Sequence, residues 1–470
     1  MFVLPFNVLI FFTFPLKGGL IKFMSRLPVA TIAGSDPSGG AGLQADLRVF
    51  TLLGAFGQTV ITGLTVQNSL GVKYWEAVSP ALVADQLEAL FEDFAPVAVK
   101  TGMLGKAEII IAVAEVLGRY RPLLVVDPVM LAKGGEALLL PEAVSALKER
   151  LFPLATVITP NLPEAEALLG KKILPGEEET ACKDLLALGP KAVVLKGGHA
   201  EGKVARDFVF DGQELVELSA PKVLAEKIGH GTGCTFSAAL TVYLAKGLPL
   251  AEACAKAKQF VTLALLSAQK NRLGKGISPT DHLIYLDRLE ARGQILEELE
   301  KAVTFFCQHP VRPLIPEVQS NLAYALPYAQ TRQEIAAFPG RIVAIGERAQ
   351  PVGCPQFGAS RHVANVILAA MRHDPSFRAA MNIRFEESFL KKAADLGLKI
   401  GEFSRAEEPP EIKAQEGATL PWGVDLVCRR LGYVPDLIAD RGEVGKEPML
   451  RLLGKEPMDV VKKALSLLDF

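Results

Sequence analysis

Between Met24 and His282 the chain alternates short, continuous apolar runs with stretches whose apolar residues recur at helical spacing. The runs are Val97–Val99, Leu123–Val126, Val157–Thr159 and Val193–Leu195, together with the one that leads into Ile32-Ala33-Gly34. A strand that is apolar at successive positions is buried on both faces, so the pattern predicts an α/β domain whose mostly parallel sheet is covered by helices on both sides. Each run stops at a polar cluster: Lys100-Thr101-Gly102-Met103, Asp127-Pro128, Pro160-Asn161 and Lys196-Gly197-Gly198-His199. In a parallel sheet these ends share one edge, where open α/β sheets take their ligands.

Two glycine-rich turns fall in the same pattern. Gly34-Ser35-Asp36-Pro37-Ser38-Gly39-Gly40-Ala41-Gly42 follows the first strand and precedes a helix that carries Gln44 and Asp46. Gly229-His230-Gly231-Thr232-Gly233-Cys234 runs straight into the apolar stretch Thr235–Leu240. Glycines at alternate positions leave backbone N–H groups unobstructed, and a helix N-terminus behind them adds its dipole. Gly231 and Gly233 are therefore expected to hold an anion, most naturally a phosphate in transfer.

The second half has a different rhythm. Leu286, Leu289, Leu296, Leu299, Val303 and Phe306 lie at helical spacing interrupted by Gly293, which reads as a connector over 283–301 into a domain spanning 302–470. Gly340-Arg341 opens a strand over Ile342–Gly346, and Phe357–His362 leads into a helix over Val363–Met371. Asn382–Phe385 reads as a loop after a helix, and Asp440–Lys446 as a loop before one. These loops carry Arg341, Arg384, Arg441 and Lys446, and arginine suits bidentate capture of phosphate. Gly-Lys-Glu-Pro-Met occurs twice, at Gly445–Met449 and Gly454–Met458, and reads as a helix-start signal.

Composition narrows the class. A chain of 470 residues exceeds one typical core, and 50% hydrophobic with 22% charged residues describes an ordinary globular protein. A net charge of −1 argues against a nucleic-acid surface. The six cysteines (Cys182, Cys234, Cys254, Cys307, Cys354 and Cys428) show no metal-ligand spacing, so no dedicated protein metal site is expected and a reducing cytoplasm fits. Met1–Leu16 is strongly apolar but has no basic residue before Lys17 and is short for a membrane span. Met24 is the expected start, no membrane association is expected, and a membrane anchor is the alternative.

The ordered motifs AGSDPSGGAGLQADL, TVQNSLGV, VKTGML, VDPVMLAKGG, ITPNLPEAEALL, VLKGGH and GHGTGCTFSAAL resemble the hydroxymethylpyrimidine kinase/phosphomethylpyrimidine kinase family of the ribokinase-like superfamily, over 24–282. The resemblance implies a three-layer domain, ATP with Mg²⁺ as cofactors, and two successive phosphorylations of hydroxymethylpyrimidine. It implies that Asp46, Gln67 and Met103 line the pyrimidine pocket, that Asn161 and Glu164 face the nucleotide phosphates, that Asp127 acts through metal-bound water, and that Lys196 neutralises phosphate charge. Where sugar kinases of this fold place an aspartate base, this chain has Cys234, as the pyrimidine branch does. A thiol at a helix N-terminus is expected to have a lowered pKa and to serve as base.

The stretches FPGRIVAIGERAQ, FGASRHVANVILAAMRHDPSFRAAMNIRF and DRGEVGKEPMLRLLG resemble the non-barrel thiamine-phosphate synthase domain often fused behind that kinase. The resemblance implies a smaller α/β domain that condenses the pyrimidine diphosphate with thiazole phosphate. Arg341 is then the expected diphosphate ligand and His362 the proton donor or anchor for the leaving group, with Arg384, Arg441 and Lys446 as further phosphate ligands. The alternative is a C-terminal domain that senses thiamine phosphate without catalysis. A pyridoxal-type kinase is the weaker alternative for the first half. The partners expected are small-molecule substrates and, because relatives of this fold commonly dimerise, a second copy of the chain.

Overall fold

The computed structural model describes residues 26–131, 138–198, 202, 204–223, 227–443 and 445–468. Met1–Leu16, Met24, the end of the VDPVMLAKGG motif from Ala132, His199 and Val444 lie outside the described residues. The chain forms two compact units. One comprises residues up to Ala220 together with Gly233–Lys258, and the other Pro221–Thr232 together with residues from Gln259 onward.

The first unit is built in the order β1 (Pro28–Ser35), α1 (Gly42–Leu52), β2 (Phe56–Asn68), β3 (Gly71–Ala77), α2 (Pro80–Asp93), β4 (Ala98–Thr101), α3 (Ala107–Tyr120), β5 (Leu123–Val126), α4 (Pro141–Ala146), β6 (Val157–Ile158), α5 (Leu162–Leu169), α6 (Glu178–Leu186), β7 (Val193–Lys196), β8 (Val204–Phe210) and β9 (Leu215–Pro221). The nine strands form one sheet in the order β3-β2-β1-β4-β5-β6-β7-β8-β9. Pairing is parallel from β2 through β7, and antiparallel where β3 and β8 join. Three layers follow from side-chain alternation. Ala30 and Ile32 of β1 enter a core shared with Val83 and Leu87 of α2 and Ile109 to Leu117 of α3. Thr31 points the other way, onto α1. The mostly parallel, doubly covered sheet is as expected.

α7 (Thr232–Ala245) and α8 (Leu250–Ala268) follow, after the short strand β10 (Ile228–His230). In the second unit β10 pairs with β11 (Ser278–Pro279). α9 (Ile284–Cys307) is one continuous helix. Gly293 does not interrupt it: a single helical glycine costs about 1 kcal/mol, and Leu299, Ala302, Val303 and Phe306 are fully or almost fully buried in the second core.

Seven strands then make a mixed sheet: β12 (Leu322–Ala325), β13 (Ile335–Ala337), β16 (Gln356–Phe357), β17 (Ala379–Arg384), β18 (Ile400–Phe403), β19 (Leu437–Asp440) and β20 (Met449–Gly454). Their order is β16-β13-β12-β17-β20-β19-β18, antiparallel except for β18 with β19. β14 (Ile342–Ile345) and β15 (Arg348–Pro351) form a separate hairpin. One face of the sheet packs on α9, α11 (Glu387–Asp395) and α14 (Pro457–Ser466). The other packs on α10 (His362–His373) and α13 (Thr419–Leu431), with α12 (Pro410–Lys413) just before α13 in the chain.

Two loop expectations are corrected here. Asn382–Arg384 is not a loop but the end of β17, and Asp440–Lys446 leads into β20 and not into a helix. The first Gly-Lys-Glu-Pro-Met copy therefore starts a strand, while the second starts α14 with Pro457 in its first turn.

Candidate functional site

In the first unit the strand ends assemble around Asp127, which lies just past β5 and is 2% exposed. Its Oδ1 accepts from Lys196 Nζ at 2.9 Å and from Thr159 Oγ1 at 3.1 Å, and its Oδ2 accepts from Ser237 Oγ at 3.1 Å. One carboxylate thus ties the ends of β6 and β7 to α7. Burial alone would push this carboxyl up, but the Lys196 and Lys100 charges hold it below its ordinary value. Gly233 sits over the pair: a Cβ there would lie 3.4 Å from Lys196 Nζ and 3.6 Å from Asp127 Oδ2. The open side of the α7 N-terminus therefore faces an ammonium group, an arrangement suited to a phosphate. The turn before it holds Gly229 at φ +107° and Gly231 at φ +80°, closed by Thr232 Oγ1 donating to Gly229 O at 2.7 Å.

Behind this lies a second charge pair that the motifs did not reveal. Lys100 and Asp46 are both fully buried and meet at 2.8 Å. Thr31 Oγ1 donates to the same Asp46 oxygen at 2.6 Å, and Asp46 Oδ1 has no partner among the described residues. Gly102 is required here, because a Cβ would lie 2.9 Å from Lys100 Nζ. Asp46, on the buried face of α1, is thus the counter-ion of Lys100.

Cys234 is partly buried, and its Sγ is faced by the N–H of Gly42 at the start of α1. Burial pushes its thiol up to about 11, with Lys100 opposing and Asp46 and Asp127 adding. The expected lowering is therefore reversed in this structure, because loss of solvation outweighs the favourable charges.

Asn161 and Glu164 stand at the start of α5, as their spacing suggests. They form a capping box on α5, with Asn161 Oδ1 accepting from Glu164 N at 2.9 Å and Glu164 Oε2 accepting from Asn161 N at 2.8 Å. Glu164 Oε2 and Asn161 Oδ1 thereby hold the start of the helix. Burial raises the Glu164 carboxyl to about 7 despite Lys196. Gln67 is half-buried near the end of β2, its Oε1 accepting from Thr65 Oγ1 at 3.3 Å. Met103 is buried, its sulfur 2.9 Å from where a Gly34 Cβ would stand.

The second unit gathers its cations on one face of the mixed sheet. His362 begins α10, and its pKa is lowered by burial and then by the charges of Arg341, Arg361, Arg451 and Lys446. Arg341 has a left-handed backbone, φ +73°, directly after Gly340 at +69°. That conformation costs an L-residue about 1–3 kcal/mol, and strain of this kind is held where a side chain has to be aimed. Arg341 donates to Val318 O. Glu447 fixes that same loop, accepting from Glu317 N at 2.8 Å and Val318 N at 3.1 Å.

Arg384 and Arg441 already have partners within the protein. Arg384 spends Nε and Nη2 on Ile315 O, at 3.2 and 2.9 Å. Arg441 is paired with both Glu387 and Glu402 and lies over the Phe385 ring.

Sequence reasoning missed Lys100, Thr159, Ser237, Arg451 and Glu447. Lys100 stood inside a noted strand-end cluster, and Arg451 is a lone charge in the apolar run Met449–Leu453, which was the available signal. Among the described residues no group of three or more His, Cys, Asp or Glu could hold a metal ion, and no helix is long and apolar enough to cross a membrane.

Residues 36–281 match the phosphomethylpyrimidine kinase family, and residues 298–466 match the thiamine-phosphate synthase ThiN family. The chain belongs to the phosphomethylpyrimidine kinase family and carries a C-terminal ThiN domain. It is 33% identical to the "Bifunctional thiamine biosynthesis protein ThiDN" of Methanocaldococcus jannaschii over 93% of this chain and 97% of that protein. It is 49% identical to the "Thiamine biosynthesis bifunctional protein ThiED" of Geobacter sulfurreducens, over 57% of this chain and only 54% of that one. The pyridoxal kinase of Staphylococcus aureus, solved with ADP, aligns with a TM-score of 0.50 at 37% identity, covering 55% of this chain and 94% of that one. The first unit thus has the ribokinase-like fold, and the chain is a bifunctional thiamine-biosynthesis enzyme, an ATP-using kinase joined to a thiamine-phosphate synthase domain.

Proposed function

We propose that residues 24–282 phosphorylate hydroxymethylpyrimidine twice at the expense of ATP, and that residues 302–470, entered through 283–301, condense the resulting diphosphate with thiazole phosphate. The observation that carries the kinase reading is the Lys196–Asp127 pair beneath Gly233 at the start of α7. Lys196 would neutralise the transferring phosphate, and the N–H groups of Gly231 and Gly233 would hold its oxygens. Gln67, with an amide that both donates and accepts, and Met103 would hold the pyrimidine ring.

Cys234 would take the substrate hydroxyl proton. A thiol raised to about 11 rests protonated, so it acts as base only with Lys100 and the Gly42 N–H stabilising the thiolate that forms. The second phosphorylation starts from an ionised phosphate and needs no base. Mg²⁺ would neutralise charge on the nucleotide's phosphates. Asp127 and Glu164 are the carboxylates near Lys196 that would face it through water, because both Asp127 oxygens already accept protein hydrogen bonds.

In the second unit the bond from the pyrimidine methylene to the diphosphate oxygen breaks, its electron pair leaves with pyrophosphate, and the thiazole nitrogen takes the methylene carbon. The residues that would receive the departing charge are Arg341, Lys446 and His362 at the α10 N-terminus. As diphosphate neutralises the surrounding cations, the lowered His362 pKa would rise, so the ring gains a proton as the leaving group arrives. We place the enzyme in the cytoplasm as a homo-oligomer, a reading that rests on the family resemblance and the fold.

The test supplies full-length protein with hydroxymethylpyrimidine, Mg-ATP and thiazole phosphate and follows products by mass. Thiamine phosphate from wild type, with only pyrimidine diphosphate from Arg341→Ala, is the expected result. Pyrimidine diphosphate accumulating in both would make the second unit a sensor.

A further inference from the structure

The second unit holds a buried cation whose pairing is incomplete. Arg451 lies in the middle of β20, directly opposite Asn382 of β17 and Ile438 of β19, and is 5% exposed. Its neighbours Leu450 and Leu452 point into the α9/α14 core and Leu453 into the α10/α13 core, so Arg451 shares the face that α10 covers. A strand position this buried ordinarily carries an apolar side chain, and an arginine there has to be balanced.

The balance is incomplete. Asp440, fully buried at the end of β19, accepts the Arg405 fork, Nε at 3.0 Å and Nη2 at 2.8 Å, and the Gly442 N–H at 3.0 Å. Arg451 Nη2 reaches Asp440 through a single contact of 3.1 Å. Arg405 also has Glu443 at 3.9 Å, so the acidic groups of this corner are concentrated on Arg405. Arg451 Nη1 is buried and has no hydrogen-bond partner among the described residues. A buried donor left unpaired destabilises the fold, a cost that persists where a ligand recovers it.

We infer that Arg451 is a further diphosphate-binding residue of the synthase site, its unpartnered Nη1 donating to an anionic oxygen of the substrate's diphosphate. This rests on the reading of the Arg341–His362 cluster as the diphosphate site. A single contact to Asp440, in place of a fork, lets the guanidinium turn about its own side-chain bonds toward a ligand. A charge-assisted bond formed out of water is also stronger than one from an exposed arginine. The chemistry favours a diphosphate over a monophosphate, because a second anionic group is needed to reach Arg451 while Arg341 and Lys446 hold the first.

The test is calorimetric titration of the full chain with inorganic pyrophosphate and, separately, inorganic phosphate. The proteins are wild type, Arg341→Ala, Arg451→Met and Arg451→Lys, each with its thermal unfolding midpoint recorded. The expected result is pyrophosphate binding at least tenfold weaker in Arg451→Met and Arg341→Ala, with phosphate binding changed less than twofold in Arg451→Met. Arg451→Lys keeps the charge but not the fork, and is expected to lose at least threefold. Should Arg451→Met not fold, Arg451→Lys decides alone: wild-type pyrophosphate affinity in it overturns the inference. Arg341→Ala weakened while both Arg451 variants bind as wild type overturns the role of Arg451 and leaves the site reading standing. Pyrophosphate binding unchanged in all three variants overturns the site reading itself.

Discussion

The two units solve the problem of holding phosphate with sheets of opposite character. In the first, parallel strands all point their C-terminal ends at one edge, so Lys100, Asp127, Thr159 and Lys196 follow their strands in sequence and meet there in space. In the second, the sheet is mostly antiparallel, and its cations come from a hairpin entry (Arg341), a helix start (His362), a strand middle (Arg451) and a connection (Lys446). The difference teaches that topology decides whether an active site is periodic in sequence. A parallel sheet repeats the same strand-end position at every crossover, whereas an antiparallel one alternates ends and has to recruit from faces and loops.

The comparison predicts where each unit breaks. The largest effect is expected at the buried pair of the first unit. Lys100→Met leaves the buried Asp46 without its counter-ion, and removing one partner of such a pair costs about 3–5 kcal/mol. The urea midpoint of the kinase transition should fall accordingly, and a change under 1 kcal/mol would show that Asp46 is not sealed as the structure has it. Next, Arg341→Ala should lower the condensation rate by about 10²–10³-fold while pyrimidine diphosphate still forms. An equal loss in both activities would mean that the two sites are not independent.

Cys234→Ala should slow phosphorylation of the alcohol by roughly 10²-fold or more and that of the phosphate far less. Equal losses would remove the base assignment. Because the thiol sits near 11, the alcohol step should also gain rate as pH rises above neutrality, a slope that Cys234→Ala should flatten.

Smaller effects sharpen the electrostatics. The Glu164 carboxyl is raised from 4.5 to about 7, so between these values the folded unit holds a proton that the unfolded chain releases. That contribution is stabilising at low pH and is lost as pH climbs through about 7. Urea midpoints at pH 5 and pH 8 should differ more in wild type than in Glu164→Gln, and a difference of the same size in both would overturn the assignment. The smallest expected loss is at the α5 cap, where Asn161→Ala should cost about 1 kcal/mol, read in the same denaturation. If it instead abolished ATP turnover with stability unchanged, the side chain would be serving the nucleotide and not the helix.

The legibility of the two units differs in the same way. The α/β rhythm, the edge where ligands gather and the two glycine turns could be read from the first unit, because strand period and glycine placement are local properties of the chain. The commitments of individual side chains could not. Asp46 and Gln44 look equally available beside a glycine-rich turn, yet Asp46 goes to Lys100, which lies 54 residues on, and Gln44 to Ser35. Arg341, Arg384 and Arg441 looked alike as cations in polar stretches. Only the tertiary partners tell them apart: Arg384 donates to Ile315 O, Arg441 pairs with Glu387 and Glu402, and Arg341 donates to Val318 O while its charge acts on His362.

The repeated Gly-Lys-Glu-Pro-Met draws the line most clearly. At Gly454–Met458 its proline opens α14, as local preference dictates. At Gly445–Met449 the same five residues run into β20, because Asp440 and Arg451 bind across the sheet and Glu447 is taken up by the backbone of Glu317 and Val318. Composition and periodicity were enough to read two units, a parallel sheet with polar residues gathered at its strand ends, and the glycine turns, since these depend on residues close along the chain. Which charges are sealed, which are paired and which remain for substrate was decided by contacts between residues tens of positions apart, whose energies exceed the local preferences that a sequence displays.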